Sequence, residues 1–146
     1  MFERKLCSLH TWNEFGEVAA MALTSTDRVA QVVILDHLAV RASRRGSGLG
    51  RACVETIRTW AETSEACRAI IIEVEAEPTA ENAERIRFWE KAGFLQTDYV
   101  HRYIWVPETY RAMYLPIVPA FKPNDTGKSL FKIITKYHEK AYRNRE

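Results

Sequence analysis

The sequence has few of the residues from which special architectures are built. It contains three cysteines, six glycines and five prolines in 146 residues, which argues against a disulfide framework and against low-complexity segments. The cysteines, Cys7, Cys53 and Cys67, are odd in number and unrelated in spacing. This usage suits a reducing compartment, so we expect a cytoplasmic location.

The chain also lacks an excess of charge and long apolar runs. Its formal net charge is +2, with 27% charged and 47% hydrophobic residues, so we expect neither disorder nor a nucleic-acid partner. No stretch approaches the roughly 20 apolar residues of a membrane helix, and no apolar signal segment opens the sequence. Cys7 and His10 form an isolated C-x-x-H pair without a second pair of ligands, so we expect no metal site.

What is present is the patterning of one globular domain spanning residues 1–146. The pattern of residues 1–14 is compatible with a short helix or with an irregular segment that leads into the domain. Strand-like runs at 16–25 and 28–40, separated by Thr26 and Asp27, predict an antiparallel hairpin. Apolar spacing predicts a helix over 49–63, a buried strand over 69–74 and a second helix over 79–92.

The last third of the chain predicts a closing antiparallel pair and a final helix. Strand-like runs cover 99–105 and 112–118, with Pro107 between them. Apolar residues recur with a period of 3.6 over about 127–143, which predicts a final helix. Asp125 or Thr126 could cap that helix. The order of elements indicates an α/β domain.

The glycine-rich segment 45–50 lies between a buried strand and a helix. Glycines let successive backbone N–H groups turn toward one anion, and a helix N-terminus presents further unpaired donors there. The segment is therefore a candidate phosphate-binding loop, although a turn without a ligand has the same composition. The residues expected to contribute are Arg45, Gly46, Ser47, Gly48, Leu49, Gly50 and Arg51.

Two common nucleotide motifs fail on spacing. A G-x-G-x-x-G fingerprint would need glycine at position 51 or 53, where the chain has Arg51 and Cys53. Gly127, Lys128 and Ser129 look like the end of a P-loop, but its first glycine would fall on Lys122.

Two motifs in order carry a family likeness. Leu38, Ala39 and Val40 precede the 45–50 loop, and the later segment 82–94 begins with Asn82 and ends in Phe-Trp-Glu-Lys-Ala-Gly-Phe. The sequence resembles the GNAT superfamily of acyl-CoA-dependent N-acetyltransferases, with core motifs at 28–94. The resemblance implies a mixed, mostly antiparallel sheet that is splayed between two central parallel strands and flanked by helices, with an extra C-terminal helix.

The resemblance implies transfer of an acetyl group from acetyl-CoA to a primary amine by direct attack on the thioester. The 45–51 loop would hold the coenzyme A pyrophosphate, and the backbone of a bulged strand at Leu38, Ala39 and Val40 would pair with the pantetheine amides. Asn82 would contact the pantetheine arm, and Phe88 and Trp89 would complete the cofactor site. The acceptor would be a small-molecule or peptide amine.

Candidate acid–base residues follow from position. Asp36 lies two residues before Leu38, so in a regular strand both side chains would point to the same face, and Asp36 could face the acceptor cleft. Glu73 lies in the matching stretch of the next strand. Either residue could be the general base or a structural carboxylate. Trp89 stands where many family members have tyrosine, and its indole N–H cannot deliver a proton. Tyr99 or Tyr103 could substitute, or the thiolate could leave unprotonated.

These departures leave an alternative open, namely a catalytically weak acyl-CoA-binding or regulatory module with the same fold. Only 37 residues precede Leu38, which is short for a family whose early helices usually shape the acceptor pocket. The acceptor side is therefore expected to be open or completed by a second subunit. Trp12, Phe15 and residues 116–123 could supply an apolar patch for a homodimer.

Overall fold

The computed structural model describes residues 7–123 and 125–142, with side chains through Ala141. It contains one six-stranded sheet in the order β1-β2-β3-β4-β6-β5 and three α-helices. The strands are β1 Ser8–Glu14, β2 Glu17–Asp27, β3 Val32–Val40, β4 Ala69–Glu75, β5 Leu95–Arg102 and β6 Thr109–Pro116. The helices are α1 Leu49–Thr63, α2 Ala80–Lys91 and α3 Lys128–Tyr142.

The two central strands, β3 and β4, are parallel, and every other neighbouring pair is antiparallel. Their pairing covers only three positions, Val32 with Ala69, Val33 with Ile70 and Ile34 with Ile71. Beyond Ile34 the ladder between them ends, while β4 continues alongside β6 to Glu75. The predicted fold class, a mixed sheet splayed between its central strands, is confirmed.

The sheet is covered on both faces, which explains why its central strands are continuous apolar runs. Val33, Leu35, Ile70 and Ile72 belong to one core cluster together with buried residues of α1 and partly buried residues of α2. The alternate positions of the same strands, including Val32, Ile34 and Ile71, pack with α3 in a second cluster. The extra C-terminal helix therefore forms one of the two layers that cover the sheet.

Local sequence signals place the helix boundaries. The side chain of Thr79 accepts a hydrogen bond from the backbone N–H of Asn82 (3.1 Å) and caps α2, which ends before Gly93. The Asp125 carboxylate accepts the backbone N–H of Ser129 (3.1 Å) at the start of α3. The helices predicted over 49–63, 79–92 and 127–143 are present within the described residues, and position 143 lies outside them.

Three predictions about the strands need correction. Residues 8–14 form a strand rather than a helix or lead-in; polar side chains interrupt its apolar pattern, and pairing with β2 defines it. The first hairpin turns after Asp27, so Thr26 and Asp27 belong to β2. The closing strands lie at 95–102 and 109–116. The aromatic residues Tyr103 and Trp105 extended the predicted strand, but they lie in the loop between β5 and β6.

Trp12 packs against the core cluster beneath α1 and α2, whereas Phe15 is fully exposed. Within the described residues, no helix combines the length and the apolar composition that crossing a membrane requires.

Candidate active site

The loop before α1 ends in an uncapped helix N-terminus. Gly48 is the N-cap residue with φ +87°, no side chain in the described part of the chain caps the helix, and its first turn holds no acidic residue. A left-handed N-cap favours glycine, and a Cβ at Gly48 would meet only open space. The first N–H groups of α1 therefore face an accessible region where the helix dipole favours an anion.

Gly50 sets how closely the second helix approaches this loop. A Cβ at Gly50 would lie 3.0 Å from Cε1 of Phe88 and 3.7 Å from Cγ2 of Val40. The Phe88 ring thus packs directly on the first turn of α1. A larger residue at position 50 would push α2 away from the end of β3, so the tight approach links the two sequence motifs physically.

Arg45 and its neighbours tie the loop to the sheet. Nε of Arg45 donates to the carbonyl oxygen of Val40 at 3.2 Å, at the end of β3. Arg44 makes two hydrogen bonds to Glu14 at 2.6 and 3.0 Å, and Ser47 donates to the Arg44 carbonyl. The Arg45 guanidinium is therefore next to the strand end, where it can turn toward an anion bound at the loop.

A bulge in β3 accompanies the split of the sheet. Leu23 pairs with His37 and Thr24 pairs with Leu35, so Asp36 is an extra residue on the β3 side. The bulge reverses the alternation, because Leu35 and Leu38 both pack against the same core cluster. For this reason the prediction that Asp36 and Leu38 point to the same face of the sheet is wrong. The Asp36 side chain lies on the α3 face, and the Leu38 side chain lies on the α1 face.

A cavity of about 300 Å³ occupies the opening where β3 and β4 separate. Both candidate carboxylates, Asp36 and Glu73, line it. The indole of Trp89 is also at its wall, in edge-to-face contact with Phe94 at 5.2 Å between ring centroids. The remaining lining residues are His37, Val74, Glu75, Asn82, Arg85 and Tyr110.

Glu73 is the carboxylate with the most perturbed surroundings. Burial and the nearby charge of Asp36 raise its pKa, and a hydrogen bond from the Tyr103 hydroxyl (2.7 Å) and the proximity of His138 act in the opposite direction. Nε2 of His138 lies 3.6 Å from Oε1 of Glu73. A carboxylate whose pKa is raised in a cleft has the character of a general base.

Asp36 is held from the other side by α3. The Tyr137 hydroxyl donates to Oδ2 of Asp36 at 2.7 Å, and Sγ of Cys7 lies 3.5 Å from that hydroxyl. Burial raises the pKa of the Cys7 thiol, which keeps it protonated. These contacts restrain Asp36 and give it the environment of a structural carboxylate that borders the cleft.

The candidate tyrosines are separated. Tyr103 hydrogen-bonds to Glu73, and burial together with this bond raises the pKa of its hydroxyl. The Tyr99 hydroxyl bonds to Nδ1 of His101 (3.0 Å), and its ring packs on Phe131, in a different hollow of the surface. The structure does not bring Tyr99 to the cleft.

Sequence reasoning missed Tyr110, the tyrosine that lines the cleft. It pairs with Glu75 across β4 and β6, and its ring meets that of Tyr103 edge-on at 5.5 Å. Burial and the surrounding carboxylates raise the pKa of its hydroxyl. Only the register between β4 and β6 places it here, and no local motif indicates that register.

Asn82 is 5% exposed at the start of α2. Its Nδ2 donates to the carbonyl oxygen of Glu77 at 2.9 Å, and its Oδ1 accepts from Arg85 at 3.2 Å. These bonds fix the turn that leads from β4 into α2. The residue lines the cleft at the same time.

Comparison with solved structures gives the same fold. A GNAT-family protein from Desulfovibrio desulfuricans is 20% identical, with a TM-score of 0.68 over 79% of this chain and 71% of that one. The Escherichia coli ribosomal-protein-S18-alanine N-acetyltransferase is 25% identical, with a TM-score of 0.64 over 83% and 76%. A Vibrio cholerae spermidine N-acetyltransferase mutant is 11% identical, with a TM-score of 0.67 over 80% and 69%.

No curated protein sequence matches the chain. The family model described as Acetyltransferase (GNAT) family matches residues 2–94, which is 93 of the 146 residues. This range contains the loop before α1, the bulged β3, Glu73 on β4 and the α2 motif. Since more than half of the chain matches, the protein belongs to the GNAT family of acetyltransferases.

Proposed function

We propose that the protein is an N-acetyltransferase that transfers the acetyl group of acetyl-CoA to a primary amine. The observation that carries this proposal is the opening between β3 and β4, which adjoins an uncapped helix N-terminus and has Glu73 in its wall. A candidate anion site, a stretch of β3 that does not pair with β4 and a carboxylate with a raised pKa would then lie along one path for the cofactor.

The residues present fit coenzyme A. Among the described residues no side chain caps the α1 N-terminus, and a Cβ added at Gly48 would meet nothing within 4 Å. Backbone N–H groups there would hold the pyrophosphate, with Arg45 turning toward it from Val40. Beyond Ile34 the ladder between β3 and β4 ends, so the backbone at Leu38 and Val40 would take the pantetheine amides as an added strand does. Asn82, Phe88 and Trp89 would border the arm.

Acetyl-CoA supplies the activated thioester, and the protein supplies position and proton transfer. Glu73 would accept the proton of the incoming ammonium, directly or through one water molecule, so that the amine is neutral when it attacks. Tyr110, whose hydroxyl stays protonated, would donate to the departing sulfur in place of the tyrosine that position 89 lacks. Asp36 would keep a positioning role, since Tyr137 holds it.

The acceptor class is open between two known kinds of family substrate. One structural neighbour is a spermidine N-acetyltransferase, and another acts on the alanine of ribosomal protein S18. We expect a soluble amine acceptor of one of these classes. The second candidate function is an acyl-CoA-binding module with little turnover, which Trp89 at the usual tyrosine position favours.

The test is a pair of substitutions at one position, Gly48→Glu and Gly48→Ala. Both introduce a Cβ at φ +87° into open space, so both carry the same backbone strain. Only glutamate places a negative charge at the α1 N-terminus. Acetyl-CoA at about 100 times its dissociation constant should stabilise the parent protein and the alanine variant by roughly 2.7 kcal/mol in a thermal-shift titration, and the glutamate variant should show no shift.

Amine-dependent release of free coenzyme A thiol then separates the two candidate functions. Spermidine and a peptide with an N-terminal alanine are suitable first acceptors. Turnover with either identifies an enzyme. Stabilisation by acetyl-CoA without thiol release from any amine would favour the binding module, and the absence of stabilisation in a protein that melts cooperatively would overturn both.

A further inference from the structure

A second cavity, of about 470 Å³, lies behind Glu73 on the α3 side of the sheet. It shares Glu73 and Tyr110 with the cleft at the β3–β4 opening, so these two residues form a common wall. Most of its other walls come from the β5–β6 loop and from α3, which lie beyond the region matched by the family model. The lining residues are Glu73, Tyr103, Trp105, Val106, Tyr110, Thr135, His138 and Glu139.

The lining is mainly aromatic and acidic, and it also includes Thr135 and His138, whose Nε2 lies 3.6 Å from Oε1 of Glu73. The rings of Tyr103 and Trp105 stack with centroids 6.2 Å apart, and Tyr103 meets Tyr110 edge-on at 5.5 Å. Two carboxylates, Glu73 and Glu139, border the same space, and its described lining includes no lysine or arginine. Ring faces and carboxylates together attract an organic cation, since both present negative potential to it.

Trp105 stands at the mouth with 77% of its surface exposed. A large exposed indole beside a cavity is typical of a binding surface, because water solvates its apolar area poorly. The neighbouring lysines of α3, Lys132 and Lys136, line a different hollow with Tyr99. That hollow shares Thr135 and Glu139 with the cavity, so the two lysines lie near Glu139 but outside the cavity lining.

We propose that this cavity is the acceptor site and that it selects an aliphatic diamine or polyamine. The inference rests on the proposed function. One amino group would lie at Glu73, where the two cavities meet, and a second, charged amino group would lie among Trp105, Tyr103 and Glu139. α3 thereby contributes to acceptor specificity through Thr135, His138 and Glu139.

The experiment compares two acceptors of equal length, 1,5-diaminopentane and n-pentylamine. With saturating acetyl-CoA, the KM of the diamine should be about fivefold lower, because the second ammonium gains a carboxylate and an aromatic face. Isothermal titration of each amine into the protein with bound coenzyme A should give the same ranking of affinities. This binding measurement does not depend on turnover.

Substitutions assign the preference to the cavity. Glu139→Gln keeps the side-chain shape and should raise the diamine KM about threefold, with the pentylamine KM unchanged. Glu62→Gln is the matched control, since Glu62 is an exposed glutamate on α1 and does not line the cavity. Thr135→Phe should fill the cavity and weaken binding of both amines about tenfold.

Equal affinities for the two amines, or the same response in Glu139→Gln and Glu62→Gln, would overturn the diamine site. If acetyl-CoA still stabilises the protein in that case, the acetyltransferase proposal stands and only the acceptor assignment fails. If coenzyme A does not stabilise the protein, the proposed function itself fails, and amine titration of the protein alone still decides whether the cavity binds a diamine.

Discussion

Glu73 receives opposing influences from the residues around it. Burial and the charge of Asp36 favour the protonated form, whereas the Tyr103 hydroxyl and His138 favour the carboxylate. The net effect is a raised pKa, so Glu73 holds its proton to a higher pH than an ordinary glutamate does. A base must be ionised to accept a proton, so activity should fall as the pH drops through this raised pKa.

The substitution Glu73→Gln should remove this loss of activity at low pH, which is the acidic limb of the pH profile. We expect kcat to fall by about 100-fold or more, in the range that general acid–base catalysis contributes, and the residual rate should no longer decline toward acidic pH because of this group. Acetyl-CoA affinity should be unchanged, since the side chain lies on the α3 face, away from the loop before α1. The measurement is a pH profile of kcat at saturating amine, together with a thermal shift by acetyl-CoA.

Asp36→Asn is the matched comparison for this prediction. The asparagine retains an oxygen that can accept the Tyr137 hydroxyl, so the packing of α3 is preserved. We expect the acidic limb to persist, displaced toward lower pH because one negative neighbour of Glu73 is gone. Loss of the limb in Asp36→Asn and its retention in Glu73→Gln would assign the base to Asp36 instead.

At the residue scale, the sequence predicts which residues border the site better than it predicts which face of the sheet their side chains reach. Asp36 and Glu73 could be selected because each follows a buried stretch that ends near the expected opening. The side of the sheet reached by Asp36 could not be predicted, since one inserted residue in β3 reverses the alternation. Tyr110 was missed for a related reason, because its position depends on pairing with β4.

At the element scale, the helices follow from local signals. Each has an apolar face of 3.6-residue period, and Thr79 and Asp125 supply side-chain caps at α2 and α3. Strand limits depend on the register with the neighbouring strands of the sheet, so β1, β5 and β6 were misplaced or missed. The start of α3 shows how a single glycine joins a helix to the sheet.

Gly127 precedes α3 with φ +109°, and a Cβ added there would collide with the side chain of Thr97 on β5. Thr97 is buried, and its hydroxyl donates to the carbonyl oxygen of Ala112 at 2.7 Å. It therefore cannot move aside without breaking a buried hydrogen bond. The absence of a side chain at position 127 lets the helix start against the sheet.

We expect Gly127→Ala to lower the free energy of unfolding by about 2–4 kcal/mol, combining left-handed strain with overpacking. Gly16→Ala is the control, because Gly16 has φ +77° and a Cβ added there would meet nothing within 4 Å. It should lose only about 1–2 kcal/mol from the strain. Urea denaturation of both variants measures the difference, and equal losses would show that the contact with Thr97 is not limiting.

For the whole molecule, the main departure from expectation is the role of α3. The resemblance implied an extra C-terminal helix without a defined place. The structure places this helix over one face of the sheet. Sequence periodicity predicts that α3 has an apolar face, but which surface it covers depends on contacts between residues about 100 positions apart, such as Tyr137 with Asp36.

The family model ends at residue 94, yet the fold should depend on the helix beyond it. The buried side chains of α3 include Leu130, Phe131, Ile134 and Tyr137. At about 1.5–3 kcal/mol for each large side chain, their burial contributes roughly 6–12 kcal/mol, which is comparable to the whole stability of a domain.

A chain that ends at Pro123 should therefore lack a cooperative thermal transition and should bind a hydrophobic dye, because the apolar positions Val32, Ile34 and Ile71 lose their cover. A chain that ends at Tyr142 keeps α3 and should melt cooperatively, as the full chain does. Circular dichroism melts and gel filtration compare the two. A monomeric, cooperatively melting product of the shorter chain would show that α3 is an accessory to the acceptor site and not a layer on which folding depends.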